Sequence, residues 1–176
     1  AGGMEPASFY LHIPFCLHRC AYCDFNTYAG QESRIPDYVR ALNDEIRQVA
    51  GKNPLRASEK IPVHTVFFGG GTPSLLTAVQ IRNLLETLKG SFNLLPDAEI
   101  SLEANPGTTS KEYLADLRSA GVNRLSIGVQ SFRDAELSAL GRLHDARQAR
   151  NAVAAARERL DNVSLDLMYG IPGQTL

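Results

Sequence analysis

The chain lacks a fourth cysteine, an excess of charge of either sign and any long apolar run, and each lack removes a class of protein. Its three cysteines are an odd number, which does not make a closed disulfide framework of the kind that staples small secreted domains. Lys and Arg number 18 against 19 Asp and Glu over 176 residues. With no basic stripe, a nucleic-acid backbone is not the expected partner. The longest apolar pieces are strand-sized, such as "TVFF" (Thr65 to Phe68), far short of the roughly 20 residues of a membrane span. The N-terminal "AGGMEPASF" has neither the basic start nor the apolar stretch of a signal peptide, so the expected location is the cytoplasm. Nothing is of low complexity, and the length suits one domain with a sizeable core.

What is present is ordered alternation. Five β-branched or apolar runs read as strands: "FYLHIP" (Phe9 to Pro14), "HTVFF" (His64 to Phe68), "EISLE" (Glu99 to Glu103), "RLSIGV" (Arg124 to Val129) and "VSLDLM" (Val163 to Met168). Helical periods separate them. Ile35, Tyr38, Val39, Leu42, Ile46 and Val49 share one face, with Pro36 well placed in the first turn. Ile81, Leu84, Leu85 and Leu88 form a second stripe, opened by a Thr77/Gln80 capping box and stopped near Gly90. A third helix is expected from a Thr109/Glu112 capping box to Gly121, and an Ala-rich fourth from about Asp145 to Leu160. The charged "GKNPLRASEK" (Gly51 to Lys60) reads as a surface connection.

Such alternation implies a parallel sheet with crossover helices, hence an α/β fold, either doubly wound or barrel-like. Five strands do not close an eight-stranded barrel, and the chain stops at "GIPGQTL" where another helix is due. An incomplete or open partial barrel is expected, with residues 1–8 as a tail and 9–176 as the core.

Ligands of parallel α/β folds gather at the carboxyl ends of the strands, and here every end carries something polar or glycine-rich. The first strand runs into "FCLHRCAYCDFN" (Phe15 to Asn26), which holds Cys16, Cys20 and Cys23; the second into "GGGTP" (Gly69 to Pro73). The third ends on Glu103, the fourth on Gln130, and the fifth contains Asp166. Thiolates are soft ligands suited to zinc or iron–sulfur centres. C-x3-C-x2-C lets one loop hold three corners of a cubane and leave the fourth open. A zinc site completed by His18 or His12 is the alternative. "GGGTP" lacks the Lys and spacing of a P-loop; its glycines let the backbone approach a ligand, and a plain turn capped by Thr72 is the alternative. Glu103 would be costly if buried ionised and alone, so a polar ligand or an arginine is expected beside it. His12 and His144 read as interior or helix-flanking residues.

"YLHIPFCLHRCAYCDFN", "FFGGGTPSLL", "LEANPGT", "RLSIGVQSF", "LGRLHDARQA" and "LDLMYGIPGQT", in this order, resemble the radical S-adenosylmethionine (SAM) superfamily. Within it they resemble the branch of oxygen-independent coproporphyrinogen III dehydrogenases and HemW-like haem chaperones. The resemblance implies a partial (β/α) barrel of about five βα units, a 4Fe-4S cluster on Cys16, Cys20 and Cys23, and SAM chelated at the open iron for reductive cleavage to a deoxyadenosyl radical. Matching positions assign SAM contacts to Tyr10, Tyr22, Gly70, Gly71, Thr72, Glu103, Gln130, Arg142 and Asp166, the glycines offering carbonyl and N–H groups to the methionyl end. Haem or a porphyrinogen, an apo-haemoprotein acceptor and an electron-donor protein are the implied partners. The sequence departs from the dehydrogenases at Phe25, two residues after the third ligand, where they carry a further cysteine. That favours the chaperone, with its haem site beyond this chain, over porphyrinogen decarboxylation.

Overall fold

A computed structural model describes residues 5–52 and 60–175. Most of the charged Gly51 to Lys60 stretch lies outside the described residues. Five parallel strands, β1 (Ala7–Ile13), β4 (Pro62–Gly70), β5 (Asn93–Ala104), β6 (Arg124–Gln130) and β7 (Asn162–Leu167), form one sheet in the order β1-β4-β5-β6-β7. Each strand is laid beside the one before it. A doubly wound sheet would reverse direction at a switch point, so this is the arc of a partial barrel. A two-stranded ribbon, β2 (Phe15–Cys16) with β3 (Tyr28–Ala29), flanks the exit of β1. β1 begins two residues earlier than the apolar run suggests, and β5 extends well upstream of Glu99.

Alternation along the strands explains the layering. Leu11 and Ile13, Val66 and Phe68, Ile100 and Leu102, Leu125, Ile127 and Val129 are buried in one apolar cluster with residues of α1 (Ile35–Gly51), α2 (Ala78–Ser91), α3 (Lys111–Ala120) and α5 (Ala146–Arg157). Side chains of intervening positions stand on the opposite face, and apart from Phe67 they are mostly polar. A chain of hydrogen bonds crosses that face. Ser101 donates to Glu99, Arg124 to both Ser101 and Ser164, Ser164 to Ser126, and Ser126 to Asp166. A sheet covered by helices on both sides would show near-continuous apolar strands instead.

Helix ends follow their side chains. α2 opens with the expected capping box, Thr77 Oγ1 accepting from Gln80 N at 3.2 Å and Gln80 Oε1 from Thr77 N at 2.9 Å. α3 is capped by Ser110, one residue after the expected Thr109. Ser110 Oγ accepts from Tyr113 N at 3.1 Å, while the Thr109 hydroxyl donates back to Pro106 O. Its other end is Gly121 at φ 113°, a conformation that favours glycine. Asp145, with Gln148, makes a second box for α5. α4 (Asp134–Ala139) is too short to show a period and was not foreseen. In α1, Val49 is exposed, and the buried polar residue of that face is Asn43, bonded to Val39 O and Thr87.

Candidate functional site

The five strand ends open onto one cavity of about 500 Å³. It is lined by Cys16, Cys20, Tyr22 and Cys23 after β1, Gly70 of β4 with Gly71 and Thr72 after it, Glu103 and Ala104 of β5 with Asn105 after it, Gly128 and Gln130 of β6, Asp166 of β7 with Met168 after it, and Arg142. Apart from Tyr10, all the candidate residues line this cavity, Arg142 reaching it from the turn before α5. Tyr10 stands beside the cavity rather than in its lining. Its hydroxyl meets His12 Nδ1 at 3.1 Å and its ring stacks on Phe67. Burial, then the nearby Glu103 charge, push its pKa up.

The cysteine loop is sewn to the glycine turn. Gly71 N donates to Ile13 O and Thr72 N to Phe15 O, each at 2.8 Å. A Cβ on Gly71 would lie 2.6 Å from Phe15 O and 3.0 Å from Cys16 Sγ, so only glycine permits this approach. Gly70, at φ 118°, would drive a Cβ to 2.6 Å from the His12 ring and gives its N–H to Glu103 Oε2 at 3.0 Å. The N–H groups of Gly70 and Gly71 are thus engaged within the protein, and what this turn can offer a ligand is carbonyl oxygen.

Each thiol has a neighbouring donor. Thr72 Oγ1 lies 3.6 Å from Cys16 Sγ, Arg142 Nη1 lies 3.5 Å from Cys20 Sγ, and Thr27 Oγ1 lies 3.9 Å from Cys23 Sγ. Burial pushes the Cys16 thiol up, the Thr72 hydroxyl lowers it, and charge on Cys23 and Cys20 raises it again. The three sulfurs are therefore electrostatic neighbours. Among the described residues, however, no three His, Cys, Asp or Glu side chains close on a single-ion point, as a tetrahedral zinc site requires. His12 is not a free fourth donor, since its Nε2 lies 2.9 Å from Asn26 O and its Nδ1 meets Tyr10; His18 stays exposed.

The cavity lining also holds two carboxylates, Glu103 and Asp166. Burial is the main cause that raises Glu103 above the usual carboxylate range; the Gly70 N–H opposes it, and the Asp166 charge adds to it. Gln130 is held at φ 66°, an uncommon conformation for a side-chain-bearing residue and one found at functional sites. Arg142 Nη2 bonds Asn105 Oδ1 at 2.6 Å and Gly128 O at 2.7 Å, and its Nε is buried without a partner among the described residues. His144 is a core residue, its Nε2 3.0 Å from Val129 O and its pKa lowered by burial. Asn105 was missed, although it stands in the quoted "LEANPGT"; a carboxamide carries no charge and no metal-ligand signature to single it out. Phe25 lines the cavity yet is 69% exposed, so it is not a packing residue beneath the loop.

A model described as the radical SAM superfamily matches residues 10–176. The chain is 44% identical over 177 aligned residues to "Heme chaperone HemW" of Haemophilus influenzae, covering 98% of this chain and 45% of that protein. It is 42% identical to the Escherichia coli protein of the same name, again covering 98% and 45%. The chain thus spans less than half the length of these relatives. Among solved structures it is similar to the Escherichia coli coproporphyrinogen III oxidase HemN, described as a radical SAM enzyme, with a TM-score of 0.87, 35% identity and coverage of 98% of this chain and 39% of that one.

Proposed function

The chain belongs to the radical SAM superfamily, and from that premise we propose that Cys16, Cys20 and Cys23 hold a 4Fe-4S cluster beside SAM, in a protein that at its relatives' full length is a HemW-type haem chaperone. The observation that carries the reading is the single cavity joining all three thiols to the ends of the other four strands. Membership of this family replaces the zinc-module alternative.

The residues suit both groups. Three thiols with one donor apiece match three irons and leave one iron without a protein ligand. Gly71 keeps clear the space that a side chain would take beside Cys16. Glu103 and Asp166 supply negative charge toward an ammonium or sulfonium, and the unpartnered Arg142 Nε is a donor that a polar ligand would satisfy. Gln130 and Tyr22 add polar groups at the wall, and Thr72 holds the glycine turn against the loop. When bound, the cluster and SAM supply one-electron cleavage of a carbon–sulfur bond, with the protein providing orientation and exclusion of water.

The haem-chaperone part rests on the relatives' names and on Phe25. A benzyl ring neither ligates iron nor conducts thiol chemistry, and it occupies the sequence position, two residues after Cys23, where the resemblance gives a dehydrogenase a thiol. An apo-haemoprotein acceptor, an electron-donor protein and a cytoplasmic setting belong to the same reading. Among the described residues no helix is long and apolar enough to cross a membrane. The likeness to a coproporphyrinogen III oxidase keeps oxidative decarboxylation as the second reading. The test uses a chain of the relatives' full length, under argon. Haem titration followed at the Soret band is expected to saturate, and coproporphyrinogen III with SAM and reductant to remain unconverted. Conversion at enzyme-like turnover without haem binding would replace the chaperone with the dehydrogenase.

A further inference from the structure

We propose that Asn105 is a positioning residue that sets the reduction potential of the cluster by fixing the hydrogen bonds to two of its three thiolate ligands. The proposal rests on the cysteine loop being the cluster's holder and adds a residue to which no role was assigned from the sequence.

The polarity of the network is forced. A guanidinium only donates, so the side of the Asn105 carboxamide that faces Arg142 Nη2, at 2.6 Å, is its oxygen. The amide nitrogen therefore faces Thr72 Oγ1, at 2.9 Å, and donates to it. With that lone pair taken, the Thr72 hydroxyl directs its own proton to Cys16 Sγ, 3.6 Å away. At the other end, Arg142 anchored by Asn105 and by Gly128 O places Nη1 3.5 Å from Cys20 Sγ. One carboxamide thus orients the donors to both Cys16 and Cys20. It is itself clamped. The Asn105 backbone carbonyl accepts from Thr108 N at 2.9 Å and Thr108 Oγ1 at 2.8 Å, which holds the residue's main chain, and even a Cβ on Gly128 would approach the side-chain Oδ1 to 3.1 Å. Hydrogen bonds to ligating sulfurs favour the more negative, reduced state of a cluster and raise its potential.

Asn105→Asp is nearly isosteric and reverses one bond. A carboxylate accepts from Arg142 as before but also accepts from Thr72, drawing the hydroxyl proton away from Cys16. The test is a redox titration of the reconstituted protein without SAM, under argon, followed by electron paramagnetic resonance, for wild type, Asn105→Asp, Thr72→Val, Thr72→Ser and the double variant Asn105→Asp/Thr72→Val. Thr72→Val is expected to lower the reduced-to-oxidised ratio at the wild-type midpoint about tenfold, about 59 mV for a one-electron couple, with Thr72→Ser close to wild type. Asn105→Asp is expected to lower the midpoint at least as far, and Thr72→Val to add almost nothing in that background. Equal Thr72→Val shifts in both backgrounds, or none in either, overturn the role of Asn105 while leaving the cluster in place. A wild type that takes up no iron and sulfide overturns the cluster and this proposal together. If Asn105→Asp does not retain iron, the Thr72→Val and Thr72→Ser pair still decides: no difference between them removes the donor to Cys16 and with it the proposal.

Discussion

Glu103 is the carboxylate that the proposed reading sets against a cationic ligand. Burial and the Asp166 charge hold its proton more tightly than an ordinary carboxylate does, against the Gly70 N–H and His12. Since the folded pKa is raised, its contribution to stability is greatest when protonated and declines as pH rises from the unfolded value through the folded one. Binding of a cationic ligand has the opposite preference. SAM affinity of the cluster-loaded protein is therefore expected to rise with pH through this window and binding to release a proton, as calorimetry in buffers of different ionisation enthalpy would read. Glu103→Gln is expected to remove that proton release and about 1.5–3 kcal/mol of binding; unchanged affinity would place Glu103 outside the site. Gly71→Ala is a steric test. A methyl 2.6 Å from a backbone oxygen is expected to part the glycine turn from the cysteine loop, lowering iron per chain and costing about 1–3 kcal/mol in urea denaturation. At this scale the thiols, glycines and carboxylates were legible because each carries a chemical signature. Asn105 was not, because its importance lies in which atoms it faces.

Elements were legible where local chemistry decides them. The Thr77/Gln80 box needs only three residues of chain, and Thr77→Ala is expected to cost about 1 kcal/mol of stability by urea denaturation, with the cavity unchanged. The start of α3 was misread by one residue because Thr109 and Ser110 are both good caps; tertiary placement of the preceding turn gives Thr109's hydroxyl to Pro106 O and leaves Ser110 to accept from Tyr113 N. Val49 fitted the apolar period of α1 yet is exposed near the helix end. The alternation of β5, with Glu99, Ser101 and Glu103 between Ile100, Leu102 and Ala104, was visible in the letters. It marks a sheet with one polar face, and it locates the hydrogen-bond chain that runs to Asp166.

At the scale of the molecule, parallel strands laid down in sequence bring five chemically distinct ends to one rim. No pairing partner is encoded in any one strand, so periodicity leaves a doubly wound sheet open beside the barrel; the unreversed strand order decides it. The same arrangement makes the central claim testable on this chain. Under argon, iron and sulfide are measured after reconstitution, and the reduced protein is examined by electron paramagnetic resonance before and after SAM is added. Four irons and four sulfides per chain are expected, with a signal that SAM alters and that is lost in Cys16→Ala, Cys20→Ala or Cys23→Ala. Stoichiometric zinc with no iron, or a cluster that survives removal of any of these cysteines, would contradict the account.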